Sequence, residues 1–169
     1  TVDSNGGGPF NLTLNAGNGG DVTFTGKVGD TTPMGAVTVS NSRDITTGDT
    51  FEAGATNFTA KRKVETTGLL TALGNVTINA GGLVDINGGI TARGQNVDIT
   101  STNPSTTVGV TLDGAAITTS GPTNANGGNI TITSIGSVTL GQLLNTAGGT
   151  QAIAGDGNDA GNITISLSG

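Results

Sequence analysis

The chain has 169 residues, a length suited to one domain, and a net charge of -6 with only six Lys or Arg. So few cations exclude a phosphate-tracking surface, so no nucleic-acid partner is expected. The absence of His and Cys excludes Ser-His-Asp triads, Cys-His nucleophiles, disulfide staples and ordinary zinc sites.

Gly and Thr each occur 31 times and Asn 17 times, while charged residues are 11%. Gly and Asn suit positive-φ turns, and Thr suits a half-exposed strand. Aromatics are four Phe with no Trp or Tyr, so the core must be thin and built from stacked Val, Ile, Leu and Ala. No stretch approaches the length of a membrane span, so no membrane insertion is expected. The chain begins at Thr1 without Met and reads as a mature or excised piece of something longer.

Residues 1–9, "TVDSNGGGP", read as a linker or terminal edge, and residues 10–169 as a single domain. "NLTLNAG" at 11–17, "DVTF" at 21–24 and "AVTV" at 36–39 open a degenerate repeat, a small polar residue followed by apolar-polar-apolar. Residues 41–68 lack that regularity and read as a loop excursion. Within it "AKRKVE" holds half of all basic residues: Lys61, Arg62 and Lys63. That cluster is a candidate docking patch for an acidic neighbour, set against the plainer reading of a solvated loop or edge. "LLTAL" at 69–73 is the nearest approach to a helical period, and Gly68 and Gly74 bracket it too tightly for a stable helix.

From residue 75 the repeat is clearest. "NVTINAG" at 75 echoes "NVDI" at 96, an offset of 21, and "GGNITIT" at 127 echoes "AGNITIS" at 160, an offset of 33. "SVTL" at 137–140 is another member. Each unit alternates at period two, placing Val76 and Ile78 inward and Thr77 outward. Five N-x-T sequons, at Asn11, Asn57, Asn75, Asn129 and Asn162, are explained by this repeat better than by glycosylation. Stretches 101–107 and 121–128 are loops, and 145–160 is a long polar excursion.

The chain therefore reads as all-β. The expectation is a right-handed parallel β-helix, a β-solenoid of short strands with Gly/Asn turns; the runner-up is a β-sandwich of Greek-key type. The 21-residue echo fits one coil of three short strands. Asn recurs at strand entrances (Asn11, Asn75, Asn96, Asn129, Asn162), where stacked side chains form amide ladders. Seven or so coils at about 4.8 Å would give a stack about 30–35 Å long.

The texture "NVTINAGG…NVDIT…GGNITITS…GSVTL" resembles bacterial surface β-helix repeat proteins, namely filamentous-haemagglutinin-like adhesins and autotransporter passengers. The NPN-type motifs of the secretion domain of filamentous haemagglutinins are met only by "TNPST" at 102–106, so that domain is not assigned. The resemblance implies export, an extracellular or cell-surface location, and adhesion or fibre building. Its partners would be copies of the chain head-to-tail, adjoining repeats of a longer chain, or host-surface or matrix glycans.

Three motifs carry candidate chemistry. "GDGND" at 155–159 resembles one calcium turn of repeats-in-toxin proteins, with Asp156, Asn158 and Asp159 as hard oxygen ligands for Ca²⁺. Ala154 replaces the first Gly of that pattern, Ala160-Gly161 replaces its apolar strand, and there is a single copy, so a polar turn is the competing reading. Asp85 and Asp98 each sit mid-strand and are the pair a carbohydrate-active enzyme would use, the alternative to a non-catalytic module. Thr-x-Thr occurs at Thr23/Thr25 and Thr131/Thr133. Ice binding would need that motif at one position of every coil, and two scattered copies fall short. No cofactor besides the Ca²⁺ candidate is expected.

Overall fold

The structure is a computed structural model that describes residues 1–4, 7–102, 109–151 and 157–168. Among them are seventeen strands and no helix. The first seven are β1 (Leu12–Asn15), β2 (Val22–Phe24), β3 (Met34–Asn41), β4 (Asp44–Thr47), β5 (Phe51–Ala60), β6 (Lys63–Thr66) and β7 (Leu70–Ala72). Then come β8 (Val76–Ala80), β9 (Val84–Ile86), β10 (Ile90–Thr91), β11 (Val97–Ser101) and β12 (Val110–Leu112). The last five are β13 (Ile117–Thr118), β14 (Ile130–Ser134), β15 (Val138–Leu140), β16 (Leu144–Asn145) and β17 (Ile163–Leu167).

Alternation decides which side chains enter the core. In β8, Val76, Ile78 and Ala80 are buried while Thr77 and Asn79 are half-exposed. β14 repeats this with Ile130, Ile132 and Ser134 inward. Each strand then pairs in parallel with the strand one circuit later, like residue on like residue. Val76 pairs Val97, Val97 pairs Ile130 and Ile130 pairs Ile163. The buried side chains thus form columns, and the core is the contiguous cluster between them. Phe24, Phe51 and Phe58 cluster within it, with ring centroids 5.3, 5.4 and 6.4 Å apart in edge-to-face and stacked pairs.

The ladders correct the expected β-helix. They do not form one helix of uniformly short strands. They form two separate parallel sheets, of eleven and six strands, and nine strands of the larger lie on one continuous path. The result is an all-β molecule whose larger sheet is solenoid- or barrel-like. Its two arms meet at β5. Phe51–Ala53 pairs with β7 and the arm β10, β13, β16. Thr56–Ala60 pairs with β8 and the arm β11, β14, β17. β2, β4, β6, β9, β12 and β15 form the smaller sheet.

The cause lies in β3 and β5, eight and ten residues long. Gly35 and Gly54 continue these strands instead of ending them, and a Cβ on Gly54 would lie 3.2 Å from Gly35. Glycine here permits close stacking of extended backbone, which joins the two arms. The β-sandwich is corrected too: a Greek key needs antiparallel neighbours, and every ladder between the described strands is parallel. Residues 41–68 are not a loop excursion; they hold β4, β5 and β6. No helix among the described residues is long and apolar enough to cross a membrane.

Candidate interaction surfaces

The basic cluster is largely neutralised from within. The chain turns at Lys61 and Arg62 before β6 begins, so Arg62 reaches back one circuit to Asp44. Its Nε donates to Asp44 Oδ1 at 3.0 Å, and a second guanidinium nitrogen bonds the other carboxylate oxygen. Arg43 makes the same fork on Asp21, with Nε to Oδ1 at 2.8 Å. Because Ile45 pairs Val22 and Val64 in register, the two forks stack at the strand entrances of the smaller sheet. Each guanidinium, hydrogen-bonded to its carboxylate, holds Asp21 and Asp44 below the ordinary aspartate value of 3.8. Lys63 donates to Glu65 at 2.9 Å. Of the three basic residues, Lys61 alone makes no ion pair among the described residues, and it is exposed.

Asp156 lies outside the described residues. Asn158 and Asp159 are engaged with neighbouring loops. Asn158 Nδ2 donates to the Gly149 carbonyl at 2.8 Å. The Asp159 N–H donates to Asn126 Oδ1 at 3.0 Å, and its carbonyl accepts from the Gly127 N–H at 2.9 Å. Among the described residues, no group of three or more His, Cys, Asp or Glu is placed to hold a metal ion.

Asp85 and Asp98 fall on different sheets, β9 in the smaller and β11 in the larger. Asp85 has an acidic neighbour that sequence reasoning missed, since the ladder sets Glu65 beside it. That proximity needs the circuit length, which is visible only in the register. A groove lined by Lys27, Asp30, Glu52, Leu69 and Thr71 lies away from this pair, and its Lys27 donates to Asp30 at 2.8 Å.

The recurring Asn form a real column with a different bond. Each Oδ1 accepts the backbone N–H of the next Asn: Asn75 from Asn96 at 3.0 Å, Asn96 from Asn129 at 2.9 Å, Asn129 from Asn162 at 2.8 Å. Asn11 does the same for Ala36 at 2.7 Å. These are side-chain-to-backbone bonds that satisfy the N–H at each strand entrance.

Exposed apolar side chains also lie at the end made by β15, β16 and β17. Ile130 and Ile132 are 0% exposed, while Ile163 and Ile165, their partners one circuit on, are 46% and 41% exposed. Leu167 on the same strand and Leu140 on β15 are exposed as well. β17 pairs with β14 on one side and with no described strand on the other.

No protein-family model, curated protein or solved structure matches this chain.

Proposed function

We propose that the chain is a structural and interaction module of a secreted bacterial surface protein, non-catalytic, which extends by adding parallel strands at an open end. In a filament the added strands come from another copy; in an adhesin stalk they come from adjoining repeats. The observation that supports this reading is the apolar row Ile163, Ile165 and Leu167 on a strand with one edge unpaired among the described residues. Such an edge presents free N–H and C=O groups beside core-type side chains, a template for another strand. The Asn162 Oδ1 continues the column that elsewhere accepts the next circuit's N–H. "NLTLN" at 11–15 carries the same Asn-apolar-Thr-apolar order as "NITIS" at 162–166. Head-to-tail contact of that kind does not close on itself and gives fibres.

Sedimentation across a concentration series tests the reading. The unaltered chain is expected to grow into larger species with concentration. Ile165→Lys places a charge in the row and is expected to hold the chain as a single species with an unchanged fold by circular dichroism. Equal growth by both proteins would sink the proposal.

A further inference from the structure

Four Asn-Gly pairs occur in the chain, beginning at Asn5, Asn18, Asn87 and Asn126. Asn5 lies outside the described residues. The other three all lie between strands, in different surroundings. At Asn87 the backbone is held, because the Asn87 and Gly88 N–H groups both donate to the Thr66 carbonyl, at 2.8 and 3.1 Å. Gly88 is also packed on a neighbouring turn, since a Cβ there would lie 2.0 Å from the Gly68 carbonyl oxygen. At Asn126 the side-chain Oδ1 accepts the Asp159 N–H at 3.0 Å, and the Gly127 N–H donates to the Asp159 carbonyl at 2.9 Å. Asn18 and Gly19 form the tip of the turn between β1 and β2, and both are exposed. Hydrogen bonds anchor that turn around its tip: Asn15 Oδ1 accepts the Gly17 N–H at 3.0 Å, and the Gly17 carbonyl accepts the Gly20 N–H at 3.2 Å. Neither the Asn18 side chain nor the Gly19 N–H makes a hydrogen bond among the described residues. A Cβ at Gly19 would meet nothing within 4 Å.

We propose that Asn18 is a site of spontaneous deamidation, and that the fold selects it over Asn87 and Asn126. The Gly19 backbone nitrogen, its proton taken by hydroxide, attacks Asn18 Cγ. A new C–N bond forms there, the bond from Cγ to the side-chain nitrogen breaks, and that nitrogen leaves as ammonia with a proton from water. Water then opens the cyclic imide at either carbonyl. One opening leaves Asp; the other leaves isoaspartate, in which the main chain runs through the former side chain. In sum one water is consumed and one ammonia released, with no oxidation or reduction. The attack needs a glycine nitrogen free of its hydrogen bond and a chain free to turn that nitrogen toward Cγ. It also needs a following residue without a β-carbon in the way. Asn18 meets all three conditions. Asn87 fails the first two, and at Asn126 both the attacking nitrogen and the side chain are tied to Asp159. Each event adds one negative charge to a chain that already carries -6. Isoaspartate also lengthens the backbone of the turn whose Gly20 carbonyl accepts the Arg43 N–H at 2.6 Å.

The test is peptide mapping by mass spectrometry after the purified chain is held in mildly alkaline buffer, folded and, in parallel, unfolded in denaturant. Fragment ions separate Asn18 from Asn5, and labelling by an isoaspartate-specific methyltransferase identifies the product. In denaturant Asn18, Asn87 and Asn126 are expected to react at similar rates, because each is followed by Gly. In the folded chain Asn18 is expected to keep that rate. Asn87 and Asn126 are expected to slow by about tenfold or more, the protection that native hydrogen bonds and packing give. Gly19→Ala, which fits the open space at the tip, is expected to fold normally and to suppress the reaction at Asn18 alone. Reaction at Asn87 or Asn126 as fast as at Asn18 in the folded chain overturns the proposal. So does a rate at Asn18 that falls on folding as far as theirs, or one that Gly19→Ala leaves unchanged.

Discussion

Thr56 stands in a column of aliphatic side chains, pairing Val37 on one side and Val76 on the other. Its hydroxyl is buried and has no hydrogen-bond partner among the described residues, and the same holds for Thr47 and Thr66. A buried hydroxyl without a partner keeps its desolvation cost. Thr56→Val keeps the β-branched shape and continues the column, so it is expected to stabilise the chain by about 1 kcal/mol in denaturant unfolding. A loss of stability would mean that the hydroxyl has a partner after all. The charge forks make the pH prediction. Asp21 and Asp44 are held below their ordinary value by Arg43 and Arg62. A lowered folded-state value adds stability above the unfolded-state value, and that stability fades as pH falls through the folded one. Melting temperature should therefore fall on the acid side of about pH 4. Arg62→Ala should weaken the native chain at neutral pH and flatten that acid-side fall. The two proteins would converge at low pH.

At the scale of elements, the turns are as tightly specified as the strands. Gly68, Gly88 and Gly114 succeed one another between the smaller sheet and the arm β7, β10, β13 of the larger one. A Cβ on Gly88 would lie 2.0 Å from the Gly68 carbonyl oxygen, and one on Gly114 would lie 1.6 Å from that of Asn87. Gly114→Ala must push two backbone turns apart and is expected to cost about 1–3 kcal/mol. An unchanged unfolding midpoint would show that the turn yields freely. The strands were the legible part of the sequence. "VTINA" and "ITITS" announce their burial pattern, because alternation is local and every buried residue is two positions from the next. The Asn column was legible from its recurrence at strand entrances, though not its bonds to backbone N–H groups. Other features were hidden because they depend on circuit length. Arg43 meets Asp21, Arg62 meets Asp44 and Glu65 meets Asp85 only once the register is set. Gly35 and Gly54 sit inside long strands for a physical reason: a glycine marks a turn in most strand patterns, yet here it lets two extended strands stack closely. The two arms join there, and a reading that breaks every strand at Gly separates them.

For the molecule as a whole, the same stacking that builds the core leaves its last layer uncovered. Columns filled by Val97, Ile130 and their predecessors end on Ile163, and those filled by Ile99 and Ile132 end on Ile165. In the proposed reading, side chains that are silent inside the stack become adhesive at its end, and the edge of β17 that no described strand pairs supplies direction. Sequence texture implied fibre building through resemblance; the exposed row supplies a physical surface for it. The most direct measurement is negative-stain electron microscopy of the purified chain across a range of concentrations. Unbranched fibres that lengthen with concentration are the expected result. Discrete particles of one size at every concentration would contradict self-stacking through the β15–β17 end.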